Sequence, residues 1–353
     1  MYEAELGDDV FGDDPTVIAL EERAAELLDK EAGLFVASGT MGNLVSQMAH
    51  VPRGGEIIAA AESHPMWNEA AGHAVVAGAA MQGLPYRPDG TMDPAAVEAA
   101  FRDPEDIHEP LTSLVILENT HAHSMGQPLT ATYTAEISAI AHHHGVPLHV
   151  DGARLFNAAV ALGTPARALV APADSVTFCL SKGLACPVGS VVVGSRDFIR
   201  RARRARKLLG GGMRQAGVLA AAGLVALRDG PGGMIDRLAE DHANARRLAL
   251  GLADMSGISG LDPDRARTNF VIFRVTAADR ASPAAALPPR ELRGRFLGAL
   301  RERGVLLVEY PHDQVRAVTH YGIEGAHIDQ VLAACRRALA ECGAGPAPFV
   351  TGS

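Results

Sequence analysis

A lysine directly behind an apolar run is the first residue of this chain with obvious chemistry. In Thr177-Phe178-Cys179-Leu180-Ser181-Lys182-Gly183-Leu184 the apolar residues read as a buried strand, which puts Lys182 at its carboxyl end. An amine desolvated there is a Schiff-base nucleophile; a lysine in open water is the plainer alternative. The second residue is Asp151, in Leu148-His149-Val150-Asp151-Gly152-Ala153-Arg154, again behind an apolar run. A carboxylate so placed keeps a cofactor's ring nitrogen protonated, or caps a helix. Arg154 beside it suits bidentate capture of a carboxylate. Third, Ser38-Gly39-Thr40-Met41-Gly42-Asn43 lies between a strand and a helix. Small residues and a helix N-terminus there fit a phosphate, or simply make a turn. No GxGxxG or Walker pattern is present, so a dinucleotide or nucleoside triphosphate is not indicated.

Histidines add acid–base capacity. His64, in Ser63-His64-Pro65-Met66-Trp67, could lie flat on an aromatic cofactor; His121, in Glu118-Asn119-Thr120-His121, follows another apolar run, where a general base would stand. His142-His143-His144 reads as a helix end. His121-Ala122-His123 lacks carboxylate or cysteine partners at zinc-site spacing, so no metal is expected.

These residues need a scaffold, and the pattern supplies one. Asp14-Pro15 opens a helix from Thr16 to Lys30, with Gly33 as its stop. Leu34–Val36, Glu56–Ala60, Leu114–Leu117, Pro147–Val150, Ser175–Leu180 and Ser190–Val193 read as buried strands alternating with helices. That alternation predicts an α/β domain with a largely parallel sheet, whose ligand site lies at the strands' carboxyl ends. Beyond Pro231 the texture becomes α+β. It holds helices over Met234–Ala253, Arg290–Arg303 and Glu324–Cys342, strands at Asn269–Val275, Val305–Glu309 and Ala317–His320, and a Pro/Ala-rich connection at Ala281–Pro289. We expect an N-terminal segment and helix (1–32), a large domain (33–232), a small domain (233–345) and a flexible tail (346–353).

Composition bounds the rest. In 353 residues the formal charge is −9, against general affinity for nucleic acid or anionic membrane. The basic stretch Arg196–Lys207 therefore reads as a solvated or subunit-facing helix. Four cysteines make no disulfide framework and read as buried or incidental thiols. No apolar run spans a bilayer and no secretory signal is visible, so a soluble, cytoplasmic protein is expected.

Taken together, Gly7–Pro15, Glu118–His121, His149–Arg154, Leu180–Leu184 and Gly210–Gln215 resemble the corresponding blocks of the low-specificity L-threonine aldolases. These are pyridoxal-phosphate enzymes of the aspartate-aminotransferase (type I) fold, within the β-eliminating lyase superfamily. The similarity runs from about Gly7 to Ala340. It implies an α/β type I fold with a mostly parallel seven-stranded sheet and a smaller C-terminal α+β domain. It implies pyridoxal 5'-phosphate as cofactor, held covalently by Lys182. Asp151 would pair with its ring nitrogen, His64 would stack on the ring, and Ser38, Gly39 and Thr40 would meet the phosphate. Arg154 and Arg316 would bind the substrate carboxylate. Arg214 would stand near the phosphate or the adjoining subunit of a dimer of dimers. The implied reaction is retro-aldol cleavage of L-threonine or L-allo-threonine to glycine and acetaldehyde. His121 would be the base or hold a water, with His64 second. A β-eliminating lyase or racemase would use the same Lys182 and Asp151, and a weakly catalytic cofactor-binding protein would keep them. Two departures bear on that last reading. Relatives usually carry an Arg-Ser-Asp-Thr-like stretch ahead of the Gly7 block, and Phe11 stands where they have tyrosine. Either the true start lies upstream of Met1, or part of the substrate clamp is lost, and in the second case cofactor binding should survive while affinity for threonine weakens.

Overall fold

Six short apolar runs, rich in β-branched or small residues, pair with one more exposed strand into a single sheet. The computed structural model describes residues 1–230, 232–279 and 282–345, with backbone alone at 283. The strands are β1 (Ala32–Val36), β2 (Glu56–Ala60), β3 (Ala80–Leu84), β4 (Thr112–Glu118), β5 (Leu148–Asp151), β6 (Ser175–Cys179) and β7 (Ser190–Gly194). Their order is β1-β7-β6-β5-β4-β2-β3. β7 runs antiparallel to both its neighbours, β1 and β6, while the pairings from β6 through β3 are parallel. Exposure, and not edge position, explains why β3 escaped the sequence reading, since β1 at the other edge is buried and apolar. The β3 residues Ala80 to Gly83 are exposed or half-buried, so no apolar run announces the strand.

Helix α1 (Pro15–Leu28) begins where Asp14 accepts hydrogen bonds from the backbone N–H groups of Thr16 and Val17. It ends earlier than Gly33, because Asp29 takes the left-handed conformation at φ 53° and closes the last turn. Gly33 lies instead on β1. Helix α2 (Gly39–His50) is capped by Ser38, whose Oγ accepts from Met41 N–H at 3.1 Å. Its first turns sit hard against the sheet. A Cβ at Gly39 would fall 2.8 Å from Cys179 Sγ, and one at Gly42 would fall 2.5 Å from Thr177 Cγ2. The helix Arg196–Leu208 is less solvated than its charges suggest. Arg206 is buried, paired with Asp9 at 2.7 Å and donating to the Phe35 carbonyl.

The described residues divide into two compact units, Met1–Leu238 and Ala239 onward. The second carries an antiparallel sheet of β8 (Ile258–Ser259), β9 (Phe270–Val275), β10 (Val308–Tyr310) and β11 (Gln314–Val318), in the order β10-β11-β9-β8. Helices Pro289–Arg301 and Gly325–Glu341 accompany it. The helix expected from Met234 starts at Leu238, and both C-terminal strands are displaced by about a turn's worth of residues from their expected positions. Ala281 and the tail 346–353 lie outside the described residues. Among the described residues no helix is long and apolar enough to cross a membrane.

Candidate active site

Three neighbouring strand ends bring the chemistry together. In the parallel register Glu118 on β4 faces Asp151 on β5, and Asp151 faces Thr177 on β6. Just beyond β6 the chain turns back into β7, with Cys179 paired to Ser190. Lys182 sits in this connection, which is cinched by the Leu180 and Ser181 N–H groups both donating to the Gly189 carbonyl. Lys182 is half-buried, and its amine makes no hydrogen bond or ion pair with the described residues.

Asn43 joins the acidic groups. Its Nδ2 donates to Asp151 Oδ2 and to Glu69 Oε1, each at 2.8 Å. His64 Nδ1 meets the same Glu69 oxygen at 2.8 Å, while His64 N–H donates to Glu118 Oε2 at 2.7 Å. The hydrogen bond to Glu69 holds the His64 imidazole above its ordinary range. Burial pushes Glu69 upward, as it does Glu118, which also feels the charge of Asp151. Ligand atoms of His64, Glu69 and Asp151 lie within 4.8 Å of one another, a spacing that a cation could use. The Asn43 amide donates to two of the three.

His121 lies beyond β4, its backbone bridged to Gln127. Its Nδ1 is 3.0 Å from Ser124 Oγ, and its ring sits 4.5 Å from that of Tyr86. Tyr86 in turn donates to Glu62. The His121 Nε2 is buried without a hydrogen-bond partner, and burial pulls the ring's pKa down to about 4. At neutral pH it is an uncharged imidazole, and in the tautomer whose Nδ1–H donates to Ser124 the lone pair is on Nε2.

The other expected residues fall in different settings. Ser38, Gly39 and Thr40 form the first turn of α2, against the end of β6. Ser190 Oγ, buried and unpartnered, lies 3.8 Å from where a Gly39 Cβ would be. Arg154 follows β5 and precedes the helix Leu155–Leu162. Arg214 is mostly exposed; it pairs with Asp8 at 2.7 Å and lies over the Phe11 ring at 5.6 Å. Arg316 belongs to the second unit, on β11, where its guanidinium lies 5.0 Å from the Tyr310 ring centroid and 5.6 Å from that of Phe270.

Asn43, Glu69 and Glu118 were given no role from sequence. Asn43 was visible only as the last residue of a turn, and Glu69 stands five residues after His64 across a short helix, α3 (His64–Trp67). Glu118 opens the motif Glu118-Asn119-Thr120-His121. Its position at a strand end, the same signal that singled out Asp151, could have found it.

The family described as Beta-eliminating lyase matches residues 1–278. Low-specificity L-threonine aldolase 1 of Arabidopsis thaliana is 45% identical over 96% of this chain and 91% of its own length. The low specificity L-threonine aldolase of Escherichia coli K12 is 42% identical over 96% of this chain and 94% of its own. Among solved structures, Leishmania major threonine aldolase superposes with a TM-score of 0.75 at 20% identity, covering 96% of this chain and 92% of that one. Sphingomonas wittichii serine palmitoyltransferase gives 0.71 at 20%, covering 97% and 81%, which extends the likeness of fold to different chemistry. With strand order, strand-end lysine and aspartate, and sequence identity in agreement, the chain belongs to the beta-eliminating lyase family, alongside the low-specificity L-threonine aldolases.

Proposed function

We propose that this protein is a pyridoxal-phosphate-dependent lyase that splits the Cα–Cβ bond of L-threonine and L-allo-threonine, giving glycine and acetaldehyde. The observation that carries this is the Lys182 amine in the β6–β7 connection, unpartnered among the described residues and next to the strand that ends in the buried Asp151, in a chain 45% identical to a named threonine aldolase.

The residues present fit the cofactor. Lys182 offers a free amine, Asp151 a buried carboxylate, and the start of α2 a turn of small residues beside the orphaned Ser190 hydroxyl. Lys182 would hold it, Asp151 its ring nitrogen, His64 its ring face, and Ser38, Gly39 and Thr40 its phosphate. Bound there, pyridoxal phosphate supplies an electron sink for charge developing at Cα.

The chain's own groups then bind, orient and move protons. Arg154 holds the substrate carboxylate, fixing which bond stands ready to break; the family resemblance alone gives Arg316 the same duty. His121 takes the β-hydroxyl proton at Nε2. The buried, uncharged imidazole and its open nitrogen support this over His64, whose Nδ1 is engaged by Glu69 and whose pKa is raised. The same reading makes the protein a cytoplasmic dimer of dimers acting in threonine breakdown and glycine formation, with Arg214 at the phosphate or the adjoining subunit. Sedimentation tests the assembly.

The deciding experiment has two parts. Purified protein should show the visible absorbance of lysine-bound cofactor, and Lys182→Ala should lose it. L-threonine, L-allo-threonine and phenylserine should release aldehyde. A coloured protein that releases none of it would be a β-eliminating lyase, a racemase or a non-catalytic binder. A colourless one that cannot be reconstituted overturns the cofactor itself.

A further inference from the structure

Behind Asp151 a line of buried polar groups runs away from the site under the sheet. His50 Nε2 is 2.8 Å from Ser175 Oγ, and Ser175 Oγ is 2.8 Å from His149 Nδ1. His149 Nε2 then faces Asn43 Oδ1 at 3.4 Å, the longest link, before Asn43 reaches Asp151 and Glu69. His149, Asn43, Ser175, Asp151 and Glu69 are all buried.

The chemistry of each group allows one direction of donation. A carboxylate only accepts, so the Asn43 NH2 must face Asp151 and Glu69, and its carbonyl must face His149. A carbonyl also only accepts, so the tautomer that bonds Asn43 carries the His149 proton on Nε2, a nitrogen that also lies 3.5 Å from Thr177 Oγ1, and the lone pair on Nδ1. Ser175 must then donate to Nδ1 and accept from His50 Nε2–H. Burial pulls His149 down to about 3 and His50 to about 4, so both rings are neutral at pH 7, as this pattern requires. Every donor in the line points toward the two carboxylates.

We propose that Asn43 is a positioning residue for Asp151, its amide locked by the His149–Ser175–His50 line so that an N–H donor always lies between the Asp151 and Glu69 carboxylates. This rests on the cofactor reading above and deepens it. Removing the donor frees Asp151 to turn and leaves two carboxylates facing each other. Replacing it with a third carboxylate is worse, although asparagine and aspartate have nearly the same shape.

The test titrates apoprotein with pyridoxal phosphate and follows the visible absorbance of the lysine-bound form, with thermal melting of each apoprotein as a folding control. Asn43→Ala should bind the cofactor about 10- to 100-fold more weakly than wild type, the scale of one lost hydrogen bond to a buried charged group. Asn43→Asp should be weaker still. A purely structural role predicts the reverse order, since the isosteric variant would then be the milder. Should Asn43→Asp not fold, His149→Phe substitutes for it. That variant removes the Nε2–H that locks the amide, and should weaken binding about tenfold. Affinities within about twofold of wild type for both Asn43→Ala and His149→Phe overturn the inference while leaving the cofactor reading intact. Wild-type protein that takes up no cofactor removes both.

Discussion

His121 and His64 show how two histidines in one site acquire different duties. Burial makes His121 a neutral imidazole with an open nitrogen, whereas the Glu69 hydrogen bond raises the His64 pKa. His121→Asn should therefore keep the cofactor's visible absorbance and lose about 10²- to 10⁴-fold in threonine cleavage. Unchanged turnover would move the base to His64. Arg316→Ala should raise KM for threonine and leave the absorbance in place; a colourless variant would give Arg316 a different role. At this scale the sequence was legible wherever a polar residue directly followed a strand, as at Asp151, Lys182 and His121. It was opaque where a partner is reached across space. Nothing local to Asn43 says that it will meet Glu69, in the connection after α3, or His149 and Asp151, both on β5.

Elements set how closely groups approach. Helix α2 brings its N-terminal turn against β6 only because Gly39 and Gly42 have no side chains, with Cys179 Sγ and Thr177 Cγ2 inside the space a Cβ would need. Gly39→Ala should cost about 1–3 kcal/mol of stability and weaken cofactor binding, measured by urea unfolding and by titration. A variant equal to wild type in both would show that the turn can give. The strands and helices of the large unit were readable because continuous apolar runs mark doubly covered strands. β3 was not, since its residues from Ala80 to Gly83 are exposed or half-buried. The helix Arg196–Leu208 was recognised, but its charge count concealed that Arg206 points inward to Asp9 and the Phe35 carbonyl.

Across the whole molecule, stability should depend on pH through buried histidines. His50 and His121 are drawn down to about 4, and His149 to about 3, each chiefly by burial. The unfolded chain binds protons on these groups below about pH 6.5 while the folded one does not, so stability is full above that pH. It should fall progressively as pH drops toward 4 and 3, seen as a declining melting temperature; a flat profile from pH 7 to 5 would contradict the burial of these rings. Asp9→Ala should cost about 3–5 kcal/mol, because it strands the buried Arg206 charge. The strand order has a consequence for the chain while it is being made. Among the described residues β1 pairs with β7 alone, and Asp9 and Asp14 bond to Arg206, to the Arg214 carbonyl and to the Gly217 N–H. Strand β1 thus cannot dock before β7 has been made, and the contacts of Asp9 and Asp14 with the later chain wait longer still, so a strand early in the order of synthesis joins the sheet late.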